Sequence, residues 1–151
     1  MPKITLRRFA REIAMSILFE FTFEAYSLNE LFELRLTESY FSSVAEENKI
    51  YARFLPNKEI EYVKKIADGV LAHKFELDTA ISKNLSGWSI TRLSRVSVQI
   101  LRIAIFEMLF CEDIPISVSM NEAVELAKKY DVEEAGNYIN GILSSVKKEL
   151  E

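Results

Sequence analysis

Apolar residues recur along this chain at helical spacing, and no stretch alternates apolar and polar residues as a half-buried strand does. The spacing predicts a first helix from about Thr5 to Tyr26, with Thr5 as its cap and Ala10, Ile13, Ala14, Ile17 and Phe21 on its core arc. A second helix is expected after Asn29, through Leu31, Leu34, Tyr40, Phe41 and Val44, before the polar stretch 46–49 and Pro56-Asn57 break the chain. A long third helix runs to Asn84 on a period-3.6 face of Ile60, Val63, Ile66, Ala67, Val70, Leu71, Phe75, Leu77 and Ile81. After a short turn near 90–93, the apolar run from Val96 to Phe110 predicts a buried central helix, ended by Asp113-Ile114-Pro115. Two amphipathic helices close the chain, from about Ser119 to Tyr130 and from about Glu133 to Leu150. The expected fold is all-α: about seven helices in a single domain, 1–151, with two packed helical subdomains. Ser86-Gly87-Trp88-Ser89 is the expected boundary, giving subdomains of about 1–85 and 86–151.

Composition agrees with a compact helical protein. A chain of 151 residues can bury a proper core, and 49% hydrophobic residues with four Gly and three Pro argue against disorder. The net charge of −4 provides no global field to gather a polyanion, so nucleic acid would have to bind through a patch. Cys111 is the sole cysteine, which excludes an internal disulfide and fits a reducing compartment. With neither a signal peptide nor an apolar run of membrane length, the expected protein is soluble and cytoplasmic.

Catalytic chemistry is thin. The single histidine, His73, sits mid-helix as an expected structural residue, and Cys111 lacks the companions of a zinc site. The carboxylate pairs Glu46-Glu47 and Glu133-Glu134 suit a solvated surface, and the four glycines form no phosphate loop. No enzyme, metal or cofactor is expected.

The first helix carries the one local basic site. With about 100° per residue, Arg11 falls about 40° from Arg7, Arg8 about 100° and Phe19 about 120°. Arg7, Arg8 and Arg11 are therefore expected to share an exposed face with Met15 and Phe19, with Lys3 just upstream and no acidic residue before Glu12. A solvated helix flank would look the same. Positive charge in a first turn nevertheless opposes the helix dipole, arginine matches phosphate bidentately, and Phe19 offers a face for stacking. That mixture fits single-stranded RNA. Phe21 belongs to the core, whereas Phe19 and Phe23 either meet the second helix, Phe23 more than Phe19, or form a partner patch.

The C-terminal third adds motifs. The run Ile100-Leu101-Arg102-Ile103-Ala104-Ile105-Phe106-Glu107-Met108-Leu109 is followed by Asp113-Ile114-Pro115, by Met120-Asn121-Glu122-Ala123-Val124-Glu125-Leu126-Ala127-Lys128, and by Tyr138-Ile139-Asn140-Gly141-Ile142-Leu143. With Arg7-Arg8-Phe9-Ala10-Arg11-Glu12 at the start, these resemble the NusB transcription antitermination factors over essentially the whole chain, most densely over 94–146. The resemblance implies an all-α, non-catalytic protein that pairs with NusE, a small-subunit ribosomal protein, and binds the boxA element of nascent ribosomal RNA within the RNA polymerase antitermination complex. It implies RNA contact by Lys3, Arg7, Arg8, Arg11 and Tyr138. Phe19 falls on the surface shared with NusE, and Phe23 and Ser97 are assigned to the same partner surface.

Some motif residues have structural accounts. Asn121 and Glu122 early in a helix would satisfy open N–H groups, and Arg102 in an apolar helix needs a carboxylate or carbonyl partner. Gly136 and Gly141 disfavour a helix by about 1 kcal/mol each relative to Ala, which predicts close packing there or, for Gly136, a surface contact. The chain also departs from the family pattern. Ser97-Val98 stands where an acidic-basic pair is frequent, Asp131 where Gly is common, and Ser144 where an acidic residue is usual. The alternative reading is a non-catalytic helical interaction module, as in the NusB-like domain of ribosomal RNA cytosine methyltransferases; the chain shows no βαβ pattern before Glu151. Homodimerisation that hides the RNA face is a further alternative.

Overall fold

The structure, a computed structural model, describes residues 2–151, with side chains from residue 6 onward. Among the described residues there are eight α-helices, two 3-10 turns and no strand, an all-α architecture. Two of the expected helices are each broken once, which raises the count above seven. Contacts divide the chain into two units, Met1–Asp68 and Gly69–Glu151, ahead of the boundary expected at 85/86.

The first unit contains α1 (Pro2–Phe21), α2 (Leu28–Arg35), α3 (Glu38–Val44), a 3-10 turn (Lys49–Tyr51) and the start of α4 (Asn57–Ala72). Proline at the first position of α1 loses no intrahelical hydrogen bond, and Thr5 lies inside the helix rather than capping it. At the other end α1 stops at Phe21, short of Tyr26: the Thr22 hydroxyl donates to the Phe19 carbonyl at 2.6 Å and Glu24 turns to φ 59°. Ala10, Ile13, Ala14, Ile17 and Leu18 are each at most 2% exposed, so α1 is the core helix of this unit.

Local capping breaks the expected second helix in two. Ser27 and Glu30 close a capping box at the start of α2, and the Thr37 side chain accepts from the Tyr40 N–H at 3.0 Å at the start of α3. Each cap stabilises a helix start by about 0.5–2 kcal/mol. Phe41 fills the space beneath, edge to face with Tyr51 and Phe54 at 4.9 and 5.0 Å.

The second unit contains α5 (Lys74–Lys83), a 3-10 turn (Ile90–Arg92), α6 (Arg95–Phe110), α7 (Ile116–Tyr130) and α8 (Ala135–Leu150). The expected long third helix breaks at His73, whose ring stacks on Phe110 at 4.2 Å and whose Nδ1 lies 3.0 Å from Glu76 Oε1. Arg102 finds its carboxylate on α5: Nε donates to Asp78 Oδ1 at 2.7 Å and Nη2 to Oδ2 at 2.9 Å. This fork clamps α5 to α6. Phe75, expected on the core face, is instead 84% exposed, since the break at His73 interrupts the period on which that expectation rests.

Glycine roles differ from expectation. A Cβ on Gly69 would lie 2.2 Å from Phe106 Cζ, so the close approach of α4 and α6 requires glycine there. Gly136 meets α7 at ordinary contact distance, 3.6 Å from Val124 Cγ1, whereas Gly141 has nothing within 4 Å and packs against no helix. Because α7 begins at Ile116, Asn121 and Glu122 lie beyond its first turn and do not cap it.

Candidate nucleic-acid interface

The basic flank of α1 differs from a row of free surface charges. Arg8 is exposed. Arg7 is half-buried: its Nε donates to Glu59 Oε1 at 2.6 Å, and its guanidinium carbon sits 3.9 Å from the centroid of the Tyr62 ring. Arg11 is only 4% exposed, with its guanidinium carbon 5.7 Å from the same ring. The expectation of one exposed face for Arg11 and Met15 is therefore corrected. Met15 is 6% exposed, because α1 is enclosed on more of its circumference than its apolar arc alone indicates. Lys3 lies outside the residues whose side chains are described.

Carboxylate and aromatic ring fix the Arg7 fork. A planar guanidinium held on two sides loses less rotamer entropy when it meets a phosphate than a free one does. The sequence hides this arrangement, since Glu59 and Tyr62 are more than fifty residues from Arg7.

At the end of α1, Phe19 and Phe23 meet edge to face with centroids 5.5 Å apart. Their exposure is the reverse of that expected: Phe23 is 58% exposed and Phe19 half-buried. The early stop of α1 at Phe21 puts Phe23 in the turn, outside any helix face, and Phe21 itself is half-buried rather than core.

In the second unit, Tyr138 is half-buried on α8 and its hydroxyl lies 2.5 Å from Ser97 Oγ. Ser97 in turn donates to Asp131 Oδ2 at 2.5 Å, and so does Ser94 at 2.5 Å. Ser94 also caps α6, its hydroxyl accepting from the Ser97 N–H at 3.0 Å. The Val132 N–H completes the set on Asp131 Oδ1 at 2.7 Å. Burial alone would raise the Asp131 carboxyl, but the Ser94 and Ser97 hydroxyls and the Val132 N–H outweigh it and hold it below its ordinary value. Ser97, expected on a partner surface, is 0% exposed, so its position is internal and its neighbour is Tyr138. Asp131 stood out in the sequence only as a non-glycine at a turn; it occupies extended backbone at φ −128°, which needs no glycine.

Among the described residues there is no group of three or more His, Cys, Asp or Glu able to hold a metal ion, and no helix long and apolar enough to cross a membrane.

Residues 8–148 match the model of the NusB family. The chain belongs to that family. The transcription antitermination protein NusB of Clostridium botulinum (strain Hall) is 41% identical over 140 residues, 93% of this chain and 98% of the relative. Its Bacillus subtilis (strain 168) counterpart is 37% identical over 145 residues, 96% and 97% of the two chains. The fold is similar to that of T. maritima NusB, with a TM-score of 0.79 and 33% identity over 95% of this chain and 91% of that one. It is also similar to a chain in the crystal structure of antitermination factors NusB and NusE in complex with dsRNA, with a TM-score of 0.74 and 30% identity over 95% and 97% of the two chains. These relatives bear the name of an antitermination protein, not of an enzyme.

Proposed function

We propose that this chain is a non-catalytic transcription antitermination factor that pairs with the ribosomal protein NusE and binds the boxA element of nascent ribosomal RNA. Membership of the NusB family over residues 8–148 carries this reading, supported by a structural neighbour that was crystallised with NusE and RNA. Arg8 supplies an exposed charge and Arg7 an oriented fork for the RNA backbone, with Lys3 upstream and Arg11 bracing the flank from inside. Tyr138 contributes a ring whose hydroxyl is anchored through Ser97. The Phe19–Phe23 pair forms the partner surface for NusE, and Ser97, in the other unit, acts as an internal brace of Tyr138 rather than a contact. The complex works in the cytoplasm on transcribing RNA polymerase.

The modest charge makes binding cooperative with NusE, since few phosphate contacts are available and each is screened by salt. Labelled boxA RNA titrated with and without NusE across a salt series tests this. Weak binding alone, strengthened by NusE and specific over a scrambled RNA, is the expected result. NusE binding without any specific RNA binding would replace the reading with that of a helical interaction module. The same aromatic pair also serves a second copy of this chain when NusE is absent; light scattering that finds only monomer across the micromolar range would remove the homodimer.

A further inference from the structure

A shallow cavity of about 280 Å³ opens beside Tyr138, with Asn84, Ser86, Trp88, Gly141 and Ser145 among its lining residues. Its aromatic wall is built: Trp88 and Tyr138 meet edge to face, with centroids 6.4 Å apart and planes at 79°. Trp88 is 37% exposed, and the guanidinium carbon of Arg92 lies 5.9 Å from its ring centroid. Gly141, one turn beyond Tyr138 on α8, leaves its side of the cavity open, with nothing within 4 Å of where a Cβ would stand.

The polar side of the cavity has a defined sense. Asn84 Nδ2 donates to the Ala80 carbonyl at 2.8 Å and to Glu149 Oε1 at 2.9 Å, while Lys83 Nζ holds Glu149 Oε2 at 3.0 Å. Flipping the amide would set its oxygen against two acceptors, so the orientation is forced. Both amide hydrogens are committed to Ala80 and Glu149, and the carbonyl oxygen is the group Asn84 offers to a ligand. An aromatic wall, a fixed acceptor, an open glycine side and a neighbouring guanidinium together suit a planar heterocycle bearing an amine and joined to a phosphate.

We propose that this cavity receives one unstacked nucleobase of the bound RNA, of the class carrying an exocyclic amine, with Asn84 Oδ1 as its acceptor and Arg92 beside its phosphate. Continuity with Tyr138 and the positive charge of Arg92 select RNA as the occupant. The inference rests on the RNA-binding reading and adds Trp88, Asn84 and Arg92 to it.

Trp88 is the only tryptophan in the chain, so its emission reports on the cavity. Titrating the complex with NusE with boxA RNA, against the Trp88→Phe variant as background, should quench that emission. Gly141→Leu fills the cavity from an exposed helix position, and its fold is checked by far-UV circular dichroism. It should weaken RNA binding roughly fivefold or more and remove the quench, in line with the stacking of one base. Uracil at the responsive position should weaken binding by about the strength of one hydrogen bond, roughly fivefold, and Asn84→Ala should abolish that discrimination. Unchanged Trp88 emission with wild-type affinity for Gly141→Leu would overturn the proposal and leave the RNA-binding reading intact. Failure of the wild-type complex to bind RNA at all would overturn both.

Discussion

Arg7 and Glu59 form a two-point ion pair, with Nε to Oε1 at 2.6 Å and Nη2 to Oε2 at 3.4 Å. Arg7 is 23% exposed by side chain and Glu59 only 9%. Arg7 therefore belongs both to the stability of the first unit and to the proposed RNA surface, whereas Arg8 is the more exposed of the two. Substitutions at these two neighbours should separate in their effects.

Arg8→Glu should reduce boxA affinity in the complex with NusE and lower the salt slope by about 0.7 per lost phosphate contact, as for single strands. Its effect on unfolding free energy should be smaller than that of a change at Arg7, because Arg8 is exposed and Arg7 half-buried. Arg7→Ala should weaken RNA binding too, but should also destabilise the fold by about 1–3 kcal/mol, because it leaves the Glu59 carboxylate buried without its fork. Urea unfolding alongside RNA titration checks both. Equal stability of the two variants would mean that the Glu59 pair contributes nothing.

Asp131 predicts a pH signature. Its carboxyl is held below its ordinary value in the folded state, so the unfolded chain takes up the proton first as pH falls. The stabilisation is fully present above the ordinary carboxylate pKa of about 4 and is lost as pH drops through the depressed folded value. Asp131→Asn should destabilise the protein by about 1 kcal/mol at pH 7, and the gap from wild type should narrow below about pH 4. Chemical denaturation at pH 7, 5 and 3.5 measures this; a gap independent of pH would remove the charge from the network.

How much of this was legible depended on the range of the interaction. The period-3.6 pattern declared the helices, and Arg102 in an apolar run declared its need for a carboxylate, which Asp78 meets. The breaks near Leu36 and His73 were hidden, because single residues such as Thr37 decide them while the apolar pattern runs straight through. Arg11 was misplaced outward because helical angle describes one helix alone, whereas Tyr62 arrives from α4. The Ser94, Ser97 and Asp131 cluster brings together residues 34 to 37 positions apart, so the sequence showed only an unusual turn residue and an unusual serine.

The Arg102–Asp78 fork should behave as a coupled pair. Arg102 is 12% exposed by side chain and Asp78 29%, so each single alanine leaves a partly buried partner unmatched and should destabilise by about 1–3 kcal/mol. The double variant should be less destabilised than the sum of the singles, by about 0.5–3 kcal/mol of coupling. Additive singles, measured by urea denaturation, would show that the fork is not a stabilising contact.

Gly69 supplies the sharpest steric test. A Cβ there would stand 2.2 Å from Phe106 Cζ and 2.4 Å from Cε1, far inside van der Waals contact. Phe106 cannot yield easily, since it is 5% exposed and its ring lies against Phe110, with centroids 5.2 Å apart. Alanine has the higher helix propensity, by about 1 kcal/mol, so on local grounds Gly69→Ala should stabilise α4. Overpacking opposes this by about 1–3 kcal/mol, and the net change should be destabilising. Phe106→Leu shortens the obstructing side chain and creates space, so it should be destabilising in Gly69 protein but should offset part of the Gly69→Ala defect in the double variant. Thermal unfolding of the four proteins of this cycle decides it. A single Gly69→Ala variant that melts above wild type would show that the ring moves aside freely and that α4 and α6 are not locked at this point.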